Sequence, residues 1–142
     1  MIIPDVNLLI YAYDKQARLH AEAKRWWETQ LSGRETVGLS WVTLLGFLRI
    51  ITNPRVFENP VPVPKAIRYT RSWLERPNVQ LLNPGVRHLE VFFGHLEKLG
   101  TAGNLTTDAY LAALAQEYQA VLHTADFDFQ RFAGLRWINP LE

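Results

Sequence analysis

The stretch Met1-Ile-Ile-Pro-Asp-Val-Asn-Leu-Leu-Ile-Tyr-Ala-Tyr13 opens the chain with an apolar run that breaks at Asp5 and resumes as a helical segment from Asn7 to Tyr13. It reads as a strand that ends on a carboxylate and feeds a helix. The same alternation recurs outward from it. Ala17 to Leu31 spaces Ala21, Trp26, Trp27 and Leu31 among charges at helical intervals, with Gly33 as the stop. Thr36 to Leu39 is β-prone, and Ser40 then caps an apolar helix from Trp41 to Ile51 that Asn53 and Pro54 end. Prolines 54, 60, 62 and 64 mark an extended loop before a helix over Lys65 to Arg76. Beyond it the spacing predicts a strand at Val79 to Leu82, a helix at Val86 to Leu99 and an Ala-rich helix at Thr107 to Gln119 capped by Thr106 or Thr107. A strand at Val121 to His123 and an edge strand at Arg136 to Ile138 complete the series.

Short strands alternating with helices predict an α/β fold with a mainly parallel sheet covered on both faces. Such sheets take ligands beyond the carboxyl ends of their strands. A chain of 142 residues that is 48% apolar can bury one sizeable core, so residues 1–142 read as a single domain. The net charge of +1 gives no bulk bias towards a polyanion. With no cysteine, a disulfide framework and thiolate zinc are excluded, and any metal must be held by oxygen or imidazole. Among His20, His88, His95 and His123 only His88 and His95, two helical turns apart, approach ligand spacing, so oxygen ligands are the expectation. The first apolar run has no basic segment before it, and the run from Trp41 to Ile51 is shorter than a membrane span and contains Arg49. A cytoplasmic protein with no membrane role is the expectation.

The chain has five aspartates, Asp5, Asp14, Asp108, Asp126 and Asp128, and none between residues 15 and 107. Asp5 follows the first strand, Asp126 and Asp128 follow the strand at Val121, and Asp108 sits in the first turn of the helix before that strand. In a parallel sheet these positions converge on one edge. Convergent carboxylates suit Mg²⁺ or Mn²⁺, which hydrolysis of a phosphodiester uses to neutralise charge and activate water. Each acid also has a plainer reading: Asp108 complements a helix dipole, while Asp126 and Asp128 are turn residues. Asp5 resists that treatment, because a carboxylate flanked by apolar residues needs a partner.

Three segments occur in the order found in PIN domains: Asp5-Val-Asn-Leu-Leu-Ile, Thr107-Asp-Ala-Tyr-Leu-Ala-Ala-Leu-Ala and Thr124-Ala-Asp-Phe-Asp-Phe. The chain resembles that family over nearly its whole length. Gly46-Phe-Leu-Arg-Ile-Ile-Thr-Asn-Pro-Arg-Val-Phe and the segment from Arg131 to Leu141 are similar to a subgroup of VapC toxins. The resemblance implies an α/β/α sandwich and a Mg²⁺- or Mn²⁺-dependent endoribonuclease acting as the toxin of a pair. It also implies inhibition by a VapB-like antitoxin and a homodimer. By the same carry-over Asp5, Asp108 and Asp126 are the catalytic metal-binding acids, Asp128 is an accessory ligand, and Asn7 and Thr124 orient carboxylates and waters from behind.

One position departs from the pattern. Where many PIN domains carry a Glu three residues before an Arg, this chain has Gly46 ahead of Arg49. Ser40 and Thr43 are the candidates to hold a metal's water in its place. The incomplete acid set also keeps open a catalytically weak PIN-like module that only binds RNA or protein. A phosphoacceptor enzyme using Asp5 fits less well, since Asn7 stands where a second Asp is wanted and no Lys follows the last strand.

Seven basic residues against two glutamates lie between Arg49 and Arg87, and Arg49, Arg55, Lys65 and Arg68 are the candidates to meet RNA phosphates. Tyr69 and Trp73, four apart, read as core rather than as a stacking surface. Trp26 and Trp27 cannot both face inward comfortably, which points one of them to a protein interface.

Overall fold

Alternation along β1 (Ile2–Pro4) sends Ile2 into one apolar cluster and Ile3 into a second, so both faces of this strand are buried from its first residues. The computed structural model describes all 142 residues. It pairs β1 in parallel with β2 (Val37–Ser40) on one side and with β4 (Val121–His123) on the other. β3 (Val79–Leu82) and β5 (Trp137–Ile138) flank them, giving a five-stranded parallel sheet in the order β3-β2-β1-β4-β5. The chain lays down β1, β2 and β3 in one direction, then returns to place β4 on the free side of β1. The seam between β1 and β4 is therefore the point where the winding reverses, the position at which open α/β sheets form ligand crevices.

Helices α1 (Val6–Tyr13), α2 (His20–Ser32), α3 (Trp41–Ile51) and α4 (Val63–Leu74) cover one face. Their core holds Trp27, Phe47 and Trp73, with the Trp73 indole N–H donating to the Tyr13 hydroxyl at 2.8 Å. Tyr69 lies beside Tyr13, 4.5 Å between ring centroids, so Tyr69 and Trp73 belong to the core. The other face carries α5 (His88–Leu99) and α6 (Thr106–Glu117), where the small side chains of Ala109, Ala112 and Ala115 let α6 approach the sheet closely. This is the α/β/α sandwich. No helix is long and apolar enough to cross a membrane.

Several boundaries shift from those that local spacing predicts. The second helix starts at His20 rather than Ala17, because the Asp14 carboxylate accepts from the Gln16 N–H and the Asp14 carbonyl accepts from Ala17, closing a turn. Neither Thr106 nor Thr107 caps α6. The 3-10 turn Gly103–Leu105 runs directly into that helix, and the Thr106 hydroxyl instead donates to the Gly103 carbonyl at 2.9 Å. Residues 63 and 64 join α4 ahead of Lys65, with Pro64 in the first turn, where its missing N–H costs nothing.

Candidate active site

Asp5 ends β1 and caps α1: its Oδ1 accepts from the Val6 N–H at 2.7 Å, and its own N–H donates to the His123 carbonyl at 2.9 Å. The backbone at the end of β4 thus anchors the residue at the end of β1. The Thr124 hydroxyl donates to Asp5 Oδ2 at 2.7 Å and accepts from the Asp126 N–H at 3.0 Å. One fully buried side chain ties the two strand-end aspartates together. Burial pushes the Asp5 carboxyl up, the bonds from Thr124 and Val6 pull it down, and the Asp126 charge adds to the rise.

Asp126 caps the 3-10 turn Phe127–Arg131 by accepting from the Asp128 N–H at 2.9 Å. Asp108 reaches the same place from the first turn of α6. Its carboxyl is pushed up to about 7, first by burial and then by the charges of Asp5, Asp126 and Asp128. Asp108 therefore feels the other three predicted acids, and Asp5 feels Asp126. The ion pair among them is Asp128 with Arg131 at 3.8 Å, at the exposed rim.

Repelling carboxylates, one of them buried without a cation, form an arrangement that a divalent ion would relieve. A second observation agrees: the Asn7 side-chain oxygen, in the first turn of α1, is buried and has no donor. The donor set fits a hard cation. No three of these groups close tightly enough to enclose an ion as a finished cage. An open cluster is compatible with Mg²⁺, which keeps several waters and rarely uses an all-protein shell.

The sequence matches the PIN domain profile over residues 2–135. The chain belongs to the PIN-domain family. Over its full length it is similar to VapC proteins: 50% identical over 141 residues to Ribonuclease VapC33 of Mycobacterium tuberculosis, covering 99% of each chain. Ribonuclease VapC37 of the same organism is 42% identical over 140 residues, covering 99% of this chain and 97% of the relative. VapBC-1 from nontypeable Haemophilus influenzae superposes with a TM-score of 0.69 at 23% identity, each chain covered completely, and shares the fold.

In this PIN domain Ser40 and Thr43 have a different task from the one their position suggested. The Ser40 hydroxyl caps α3, accepting from the Thr43 N–H at 3.0 Å and donating to the Thr43 hydroxyl at 2.9 Å. Thr43 in turn donates to the Pro4 carbonyl at 3.4 Å. Both side chains are buried at 0% and 2% exposure, and their hydroxyls bond each other and the backbone rather than any of the acids. They instead secure the backbone immediately before Asp5. Gly46 faces Val6, the residue after Asp5, and an added Cβ would meet Val6 Cγ2 at 3.4 Å. The position reaches the neighbourhood of the acids but brings no ligand to them.

The PIN fold leaves Arg49, Arg55, Lys65 and Arg68 exposed, and none pairs with the carboxylate cluster. Lys65 extends over the Tyr69 ring, 5.9 Å from its centroid. Trp27 is core, whereas Trp26 lies half-buried over the end of β4 and donates from Nε1 to His123 Nδ1 at 3.2 Å. Trp26 is thus held by the PIN domain's own sheet. Sequence spacing missed this contact, which spans 97 residues. Burial pushes the His123 imidazole down to about 4, so near neutrality it is uncharged, with Nδ1 as acceptor.

Proposed function

We propose that this PIN domain is a Mg²⁺- or Mn²⁺-dependent endoribonuclease, the toxin of a pair with a VapB-like antitoxin, working in the cytoplasm as a homodimer. The observation that carries the reading is the convergence of Asp5, Asp108 and Asp126 at the winding reversal, mutually repelling and without a neutralising cation. The names of the VapC relatives support ribonuclease activity, and the VapBC neighbour supports the partner.

Asp5, Asp108 and Asp126 would hold the ion, with Asp128 an accessory at the rim. Bound there, it would supply charge neutralisation on the phosphodiester and activation of water. Thr124 orients the Asp5 carboxylate and, by donating to Oδ2, favours its charged form against the effect of burial. The buried Asn7 oxygen offers an acceptor for a water of the ion. Arg49, Arg55, Lys65 and Arg68 lie on the surface and act, in this reading, on RNA phosphates away from the acids.

The test is cleavage of labelled structured RNA with Mg²⁺, Mn²⁺ or EDTA, beside an Asp126→Asn protein purified identically. Cleavage that needs the metal and vanishes in the variant supports the assignment. Equal inertness of both proteins over many RNAs, with binding retained, would leave a PIN-like binding module.

A further inference from the structure

Phe127 stands between Asp126 and Asp128 with 55% of its surface exposed, a large apolar ring at the mouth of an acidic site. Two restraints hold it there. In the backbone that flanks it, the Asp128 N–H donates to the Asp126 carboxylate at 2.9 Å and caps the turn that carries it. Beside it, Trp137 of β5 forms a T-shaped pair with the ring, 5.9 Å between centroids at 86°. Trp137 itself is partly buried against the second apolar cluster, which holds Leu122, Phe129 and Phe132. Single exposed apolar side chains are ordinary on protein surfaces. This one is oriented by a cap and a tryptophan, and it adjoins the acids that bind the ion in the proposed function.

The chemistry around it favours one kind of ligand. A carboxylate cluster repels a polyanion, so a nucleic acid held there gains from a contact that does not depend on charge. A base stacked on an aromatic face is such a contact, and every base has a face to offer. Arg131, one helical turn along, is bound to Asp128 only at 3.8 Å and is half-exposed, which leaves its guanidinium able to meet a phosphate. A paired base has both faces covered by its neighbours, so the platform suits an unpaired nucleotide.

We infer that Phe127, braced by Trp137, is a stacking platform for an unpaired RNA base beside the scissile phosphodiester, with Arg131 taking an adjacent phosphate. The inference rests on the ribonuclease reading, and binding separates the two. The experiment measures fluorescence anisotropy of a short labelled single-stranded RNA in Ca²⁺, using the full chain as wild type, Phe127→Ala, Phe127→Leu and Phe127→Trp. Loss of one stacked base predicts roughly tenfold weaker binding for Phe127→Ala and Phe127→Leu, with affinity kept by Phe127→Trp. The same oligonucleotide as a duplex shows no dependence on residue 127. Wild-type affinity in Phe127→Ala, or full restoration by Phe127→Leu, would overturn the platform. Binding that needs Phe127 in a protein that cleaves no RNA would sink the nuclease reading alone. Cleavage with KM unchanged in Phe127→Ala would sink the platform alone.

Discussion

The Thr124 hydroxyl donates to Asp5 Oδ2 at 2.7 Å, joining residues 119 positions apart across the β1–β4 seam. Because the same oxygen accepts from the Asp126 N–H, Thr124 sets the spacing of two acids at once. Thr124→Val keeps the shape and removes the donor, so it leaves a buried carboxylate less stable in its charged form. Mn²⁺ affinity measured by calorimetry should fall about 10- to 100-fold, as for other residues that orient metal-binding side chains, and Thr124→Ser should recover most of it. Equal affinities for valine and threonine would remove Thr124 from the site.

Asp108 links stability to pH. Its carboxyl sits at about 7 in the folded protein against an ordinary value of 3.8, so between these limits the folded state holds a proton that the unfolded state releases. The stabilisation is present at low pH and is lost as pH rises through 7. Asp108→Asn removes that loss. In EDTA at pH 8 its melting temperature should exceed wild type by about 4 °C, and the gain should shrink towards pH 4. Mn²⁺ binding to the wild type should tighten as pH rises through 7, because the ion displaces the Asp108 proton. A pH-independent difference between the two melting curves would contradict the coupling.

Ser40 and Thr43 test structure against chemistry. The Ser40→Ala, Thr43→Ala double variant loses the α3 cap and the bond to Pro4. Urea unfolding should show a loss of about 1–2 kcal/mol, the usual cost of a missing cap. The variant's Mn²⁺ affinity should be unchanged once it is folded. A large fall in affinity with stability intact would return the pair to the metal site.

Gly46 pays a helical-glycine penalty without a steric reason, since an added Cβ meets Val6 at ordinary contact distances of 3.4 and 3.9 Å. Gly46→Ala should stabilise the protein by about 0.5–1 kcal/mol in urea titration. Destabilisation would mean that α1 and α3 pack too closely around Val6 for the methyl group.

Local signals carried a large share of this protein. The strand that stops at Asp5, the apolar helix behind Ser40 and the strand leading to Asp126 are legible because period, caps and breakers act within a few residues. They were enough to place three acids at strand or helix ends. The sequence also contained the set of motifs by which the PIN family is recognised.

What the chain alone did not determine depends on which side chains meet after the sheet closes. The order β3-β2-β1-β4-β5 is set by packing on two faces, and in it Asp108 of α6 is part-buried near Asp5, where burial first and the neighbouring charges second raise its carboxyl. Hydroxyls such as those of Ser40 and Thr43 serve whichever acceptor lies nearest, here each other and Pro4, and no spacing rule names that acceptor in advance. The same holds for Trp26 of α2, whose indole finds His123 at the end of β4 across 97 residues of sequence. Periodicity decides which face a residue occupies; the tertiary fold decides what stands opposite it.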